Sequence, residues 1–326
     1  MKIALIVLGS IIVFFLLLQL FVNIGLKNAL GKRGDGTVSI RYPLPSEQKN
    51  LTFKRDYFVN KKNVKFSVFE YRNSDVKKIK GAILLIHGVG GGHFYSLPLI
   101  NYFAKMGYIV VAYDQYASGL SEGKRIDSMT VGARDVEFAV KYFEQNYSNY
   151  PLYLFGHSWG AFTAATALNY SYRIEKTILV SGFNHQSDFV LNGNPLGILL
   201  SLSIKIRDLI IYKKAAKLTL INSLEKTNSK VLYLQGENDR TVNPKYSGKR
   251  FAEIFKNFKN IDVKILPNKE HTPFVTKQAQ DEQNKVAQLF GTTGGKLVPL
   301  TTEIDYEKIS EPDMEIYKLM SDFFEK

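Results

Sequence analysis

The pentapeptide Gly156-His157-Ser158-Trp159-Gly160 lies between the apolar run PLYLF and the small-residue stretch AFTAATALNY. A serine held on a sharp strand-to-helix turn presents its hydroxyl as a nucleophile, and the strained backbone of such a turn needs small neighbours on both sides. Gly156 and Gly160 supply them, and Ala161, Ala164 and Ala165 let the following helix pack closely. A helix N-cap is the ordinary alternative for a serine at this position.

A serine hydroxyl attacks only when a base accepts its proton and a third group orients that base. Where the nucleophile sits on a strand-to-helix turn, the acid and then the histidine follow it along the chain. Only His185 and His271 come after Ser158, and His271, in the loop after VKILP, is the one preceded by a late strand able to carry the acid. The loop after VLYLQG reads ENDRTV, making Asp239 the preferred acid with Glu237 and Asp188 in reserve. The oxyanion formed by attack needs preorganised backbone donors. Trp159, directly after the nucleophile, and Val89, in His87-Gly88-Val89-Gly90-Gly91-Gly92, are expected to provide them. A phosphate cradle is the rival use of that glycine-rich loop, but it has neither a Walker lysine nor GxGxxG spacing. The chain has no cysteine, which excludes disulfides, thiolate zinc sites and cysteine nucleophiles. No metal and no organic cofactor is called for.

Positioning these residues requires a sheet. GAILLIHG (81–88), YIVVAYD (108–114), PLYLFGH (151–157), TILVSGF (177–183), VLYLQG (231–236) and VKILP (263–267) are short, nearly continuous apolar runs, as expected of strands buried on both faces. Residues 53–60 and 64–72 read as two further strands around Asn60-Lys61-Lys62-Asn63. Helical stretches near 95–106, 130–146, 159–170 and 246–259 alternate with them, so the pattern predicts a mostly parallel sheet of about eight strands with helices on both faces. The interval 184–229 is longer than one crossover needs, and its apolar stretch PLGILLSLSIKIRDLII reads as a helical lid over the site, or else as extra scaffold. After the polar segment 276–310, Met314, Ile316, Tyr317, Met320, Phe323 and Phe324 mark a last amphipathic helix.

Residues Ile3–Phe21 carry no charge, with Ser10 and Gln19 as the only clearly polar side chains. As a helix, about 20 such residues cross a hydrocarbon core of roughly 30 Å. A signal peptide has a shorter apolar region and a small-x-small exit, which FVNIGLKNALGKR lacks. The segment is therefore expected to be an uncleaved single-pass anchor (1–26), followed by a basic neck (27–50) and the catalytic domain (51–326), which should fold without the anchor. Ten basic residues against three acidic ones between Lys27 and Lys65 account for over half of the +13 net charge. They stand where anionic headgroups would attract them, and no nucleic-acid motif accompanies them. The positive-inside rule favours a cytoplasmic catalytic domain.

Together HGVGG, YIVVAYDQYASGLSEG, GHSWG, QGENDRTV and EHTPF resemble the lysophospholipase and monoacylglycerol lipase branch of the α/β-hydrolase superfamily over residues 81 to 275. The resemblance implies that fold, a Ser158-Asp239-His271 triad, and structural roles for His87, Asp114 and His157. The chain departs from the family in carrying Trp159 where many relatives have methionine, and in segment 276–310, which has the character of an insertion. The combined expectation is a serine hydrolase acting on a small-molecule acyl or lipid ester. A peptidase, thioesterase or acyltransferase on the same fold, and a non-catalytic membrane-tethered binding protein, are its rivals.

Overall fold

The computed structural model describes residues 2–30, 48–89, 92–191, 193–292 and 305–326. Eight strands form a single sheet: β1 (Leu51–Val59), β2 (Lys65–Asn73), β3 (Gly81–Ile86), β4 (Tyr108–Tyr113), β5 (Leu152–His157), β6 (Ile174–Val180), β7 (Lys230–Gly236) and β8 (Ile261–Leu266). Their spatial order is β1-β2-β4-β3-β5-β6-β7-β8. β2 runs antiparallel to β1 and β4, and the other pairs are parallel.

β3 and β4 are buried at every position because both faces of the sheet are covered. Along β3, Ala82, Leu84 and Ile86 join a cluster with α3 (Thr130–Tyr147), α4 (Trp159–Ala167) and α7 (Gly248–Phe255). Ile83 and Leu85 point the other way, towards α2 (Leu97–Lys105) and the final helix α10 (Met314–Glu325), whose Tyr317, Met320 and Phe324 are buried there. α4 is the tightest of these packings. A Cβ on Gly160 would lie 1.9 Å from the Ile86 carbonyl oxygen, and one on Gly156 would lie 2.3 Å from the Gly160 carbonyl oxygen.

Some boundaries differ from the sequence reading. The strand expected at 177–183 runs instead over Ile174–Val180, and charged residues begin it: Glu175 is exposed at its start, while Lys176 sends its ammonium to the Phe324 carbonyl. Ser181 then turns out of the sheet at φ 51°, and Phe183 contributes to the core by stacking on Phe162. The polar segment 276–310 contains α8 (Lys277–Thr292) and α9 (Tyr306–Ile309). Its base is clipped: Val275 bridges Pro312, Thr276 donates to the Glu311 carbonyl, and Asp313 donates to that of Phe274.

α1 (Lys2–Ala29) is long and apolar enough to cross a membrane, and runs three residues past the boundary expected for the anchor. Most of the basic neck lies outside the described residues. Within segment 184–229, α5 (Pro195–Tyr212) leans on the last turns of α1, and α6 (Leu220–Leu224) returns the chain to the sheet.

The α4 packing yields a stability prediction. Gly160→Ala puts a methyl group into a backbone carbonyl that cannot move without breaking β3, and is expected to cost on the order of 3 kcal/mol or more. Urea unfolding of the variant against the parent measures this, and an unchanged midpoint would refute the packing argument.

Candidate active site

Ser158 ends β5 and begins α4 with φ 56° and ψ −117°, a conformation that a residue with a side chain adopts only when its surroundings impose it. Its N–H donates to the Val180 carbonyl at 2.8 Å, tying the turn to β6. The Ser158 carbonyl accepts from Ala161 and Phe162 N–H. Trp159 N–H, in the first turn of α4, has no intrahelical carbonyl behind it.

Asp239 lies just beyond β7 with its side chain fully buried. Oδ1 accepts from the Thr241 and Val242 N–H groups, both at 2.8 Å, while Oδ2 accepts from Gln235 Nε2 at 2.7 Å and lies 2.9 Å from His271 Nδ1. A carboxylate can only accept, so in a neutral ring the proton is on Nδ1 and the Nε2 lone pair is free. The reserve acids are elsewhere: Glu237 is exposed, and Asp188 accepts from the His185 N–H in a local cap. Sequence reasoning quoted the motif containing Gln235, Thr241 and Val242 without assigning them a part. Their shared task is to fill the lone pairs of Asp239 that His271 leaves open.

Three further histidines brace the surrounding loops: His87 and His93 are buried, and His157 is half-buried. His157 Nε2 lies 3.0 Å from the His271 carbonyl, and burial pushes its pKa down to about 3, so the neutral ring is left to donate to that carbonyl. His87 is also held below the ordinary histidine range by burial; its Nδ1 is 2.6 Å from the Gly88 carbonyl and its Nε2 accepts from Gln115 N–H. His93, which the sequence reading did not single out, donates its backbone N–H to Asp114 Oδ1 at 2.9 Å, places Nδ1 2.8 Å from the same oxygen, and meets Tyr71 Oη at 2.7 Å. Burial alone would raise the Asp114 carboxyl, but His93, His87 and the Leu120 N–H bring it below its ordinary value. Asp114 therefore pins the end of the glycine-rich loop to the loop after β4.

Val89, Ser158 and His271 line one cavity of about 470 Å³. Among the described contacts Ser158 Oγ makes no hydrogen bond to His271; catalytic hydrogen bonds are often long before substrate binds. Gly90 and Gly91 of the glycine-rich loop lie outside the described residues. The walls are largely apolar, with Tyr95, Leu99, Phe189, Phe274 and Ile309 among them, and no carboxylate lines the cavity among the described residues. Of the expected lid only Phe189 reaches it, whereas Gln283, Ile309 and Ser310 of the clipped segment do. The Trp159 indole is fully buried, donates to the Met129 carbonyl at 2.7 Å and does not line the cavity. The Trp159 side chain therefore packs behind the turn and not into the cavity.

The neutrality of His157 makes stability depend on pH. In the fold its pKa is about 3, against an ordinary 6.5, so between these values the unfolded chain binds the extra proton. Its contribution is intact above the unfolded value and is lost as pH falls, by about 1.4 kcal/mol per unit in that window. His157→Gln keeps a donor for the His271 carbonyl without the titration, so its unfolding free energy should decline less steeply than the parent's between about pH 6 and about pH 4. Parallel pH curves from urea titrations would show that His157 does not carry the effect.

A family model described as serine aminopeptidase, S33, matches residues 77–205, a stretch containing Val89, Ser158 and Trp159 but neither Asp239 nor His271. A proline iminopeptidase of Saccharolobus solfataricus is 28% identical over 123 residues, 37% of this chain and 38% of that protein, so the match spans well under half the length of this relative. An esterase of Pyrococcus furiosus superposes with a TM-score of 0.53 at 19% identity, covering 74% of this chain and 91% of its own. Acetyl xylan esterase 1 from Thermoanaerobacterium superposes at 0.52 with 14% identity, covering 74% and 87%. Identities this low speak to fold. With the sheet order, the flanking helices and the serine on its turn, they establish that this chain has the α/β-hydrolase fold.

Proposed function

We propose that the protein is a membrane-held serine esterase that cleaves acyl or lipid esters through Ser158, His271 and Asp239, in the manner of lysophospholipases and monoacylglycerol lipases. The observation that carries the reading is the shared cavity. A serine on a strained turn and a histidine already oriented by a buried carboxylate open onto the same largely apolar space.

In this mechanism Ser158 Oγ attacks the ester carbonyl as His271 Nε2 takes its proton, and Asp239 stabilises the imidazolium. The Val89 and Trp159 N–H groups hold the oxyanion. The proton passes to the leaving alcohol, an acyl-Ser158 ester remains, and water repeats the sequence to release the acid.

Aminopeptidase activity is the second reading, favoured by the description of the matching family and by the iminopeptidase relative. A peptide α-ammonium drawn into an apolar cavity needs a charged partner to offset its desolvation. The lack of a lining carboxylate among the described residues counts against it and in favour of a neutral ester.

Purified full-length protein assayed on p-nitrophenyl esters of rising acyl length and on aminoacyl p-nitroanilides separates these readings. Ester turnover should dominate and increase with acyl length; anilide turnover alone would establish the peptidase, and neither, with no fluorophosphonate labelling, a binding protein. Ser158→Ala, His271→Ala and their double variant should each lose several orders of magnitude in kcat, the double scarcely more than either single, and Asp239→Asn should lose less than His271→Ala. Labelling should vanish in Ser158→Ala, and a variant that still labels and turns over normally places the nucleophile elsewhere.

A further inference from the structure

α5 is inside out. A helix on a soluble protein turns its apolar stripe to the core and its polar side chains to water. In α5 the buried positions include Ser201, Ser203, Arg207 and Asp208, each 4% exposed or less, while Leu196, Ile198, Leu202 and Ile210 are 54% to 68% exposed. Arg207 and Asp208 on its inner face are paired, while the buried Ser203 Oγ has no hydrogen-bond partner among the described residues. Asp208 Oδ1 accepts from Arg207 Nη1 at 3.1 Å, and Oδ2 accepts from Thr130 Oγ1 at 2.8 Å and from Ser128 Oγ at 3.2 Å. The helix is thus held by buried polar contacts that fix which face turns outward, and that face is apolar.

The same polar side receives α1. Arg207 donates through Nε and Nη2 to Asn23 Oδ1 at 3.2 and 3.1 Å, and Gln19 Nε2 donates to the Ser203 carbonyl at 3.3 Å. Gln19 is one of two polar residues in the uncharged run of α1; the other, Ser10, bonds back to the Ile6 carbonyl in its own helix. Residues 2–17 of α1 are exposed and stand clear of the body, and contact begins at about Leu18. The level at which α1 leaves the hydrocarbon, between Phe21 and Lys27, is therefore the level of the middle of α5.

We propose that α5 lies in the interface of the bilayer that α1 crosses, its outer stripe of Ile198, Leu202 and Leu209 sunk among the upper acyl chains. This rests on reading α1 as a membrane-crossing helix; once that holds, α5 cannot be remote from the lipid surface. Interfacial helices of this kind bury an apolar face by about 5–10 Å and keep cationic side chains at headgroup level. Lys213 and Lys214 stand exposed at the end of α5, and Lys205, the one charge within the outer stripe, has a stem long enough to return its ammonium to the headgroups. Asn194 caps α5 through Gly197 N–H at 2.8 Å, so an interfacial orientation leaves this polar start at headgroup depth. Phe189, 42% exposed and lining the cavity, precedes α5 by a short loop and places one wall of the cavity near the same surface.

The native chain has no cysteine, which permits single-site labelling of the full-length protein in anionic phosphatidylglycerol–phosphatidylcholine vesicles. Leu202→Cys and, separately, Ile198→Cys, each carrying an environment-sensitive nitrobenzoxadiazole, should show blue-shifted emission and strong quenching by lipids bearing a nitroxide high on the acyl chain. Tyr172→Cys, at a residue 93% exposed, should show neither. A lipid-quenched label at Ile12→Cys combined with water-like labels at both α5 positions would overturn the α5 proposal while leaving the anchor intact. Water-like spectra at all of these sites would overturn the anchor reading and the proposal with it. Blue-shifted α5 labels that lipid nitroxides do not quench would mean that a second copy of the chain covers the helix.

Discussion

The site depends on one strained turn. Ser158 is held at φ 56° by the hydrogen bond from its N–H to Val180 and by the helix that starts immediately after it. That arrangement exists because Gly156 and Gly160 let two backbone segments approach closer than any Cβ would permit, with Ile86 at the closest point. The contact serves two purposes. It turns the serine out of the sheet, and it leaves the first N–H groups of α4 without intrahelical acceptors.

Around that turn, buried polar groups are paired in ways that leave few alternative positions. Asp239 has its oxygens occupied by two backbone N–H groups, an amide and the His271 ring. His157 holds the His271 backbone from the other side, and burial keeps it neutral. Asp114 and His93 do the same for the loop bearing Val89, linking it to Tyr71 on β2. An unpaired polar group at such depth costs free energy, so each pairing resists displacement and fixes its neighbour.

α1 packs against α5 through side-chain hydrogen bonds. An anchor joined to its domain by a flexible neck leaves the domain free to turn; Gln19, Asn23 and the Lys27 carbonyl, which accepts from Arg125, hold α1 against the body instead. Removing α1 would uncover Ser203 and leave Arg207 with fewer partners beside an already exposed apolar helix face. The apolar stretch within the expected lid turns apolar side chains outward, and among the described residues Phe189 of that segment lines the cavity together with Gln283, Ile309 and Ser310.

The parallel strands, the helices between them and the Ser158 turn were legible in the sequence because they follow from local rules. Strands buried on both faces must be continuously apolar, and a sharp strand-to-helix turn must have glycine on either side of its serine. The order along the chain singled out His271 among the histidines, while the acid beside it was left between Asp239, Glu237 and Asp188 until the fold placed Asp239 against the ring. Partnerships across the chain were not legible. Nothing local to His93 says that it meets Asp114 and Tyr71, nothing in Gln19 names the Ser203 carbonyl 184 residues away, and no property of Trp159 tells that its indole turns from the cavity to Met129. Hydrophobicity alone marked α5 as covered and could not say by what. Periodicity records that a face is apolar, but which face turns inward is decided by where Arg207 and Asp208 find their partners, and only the folded chain brings those partners together.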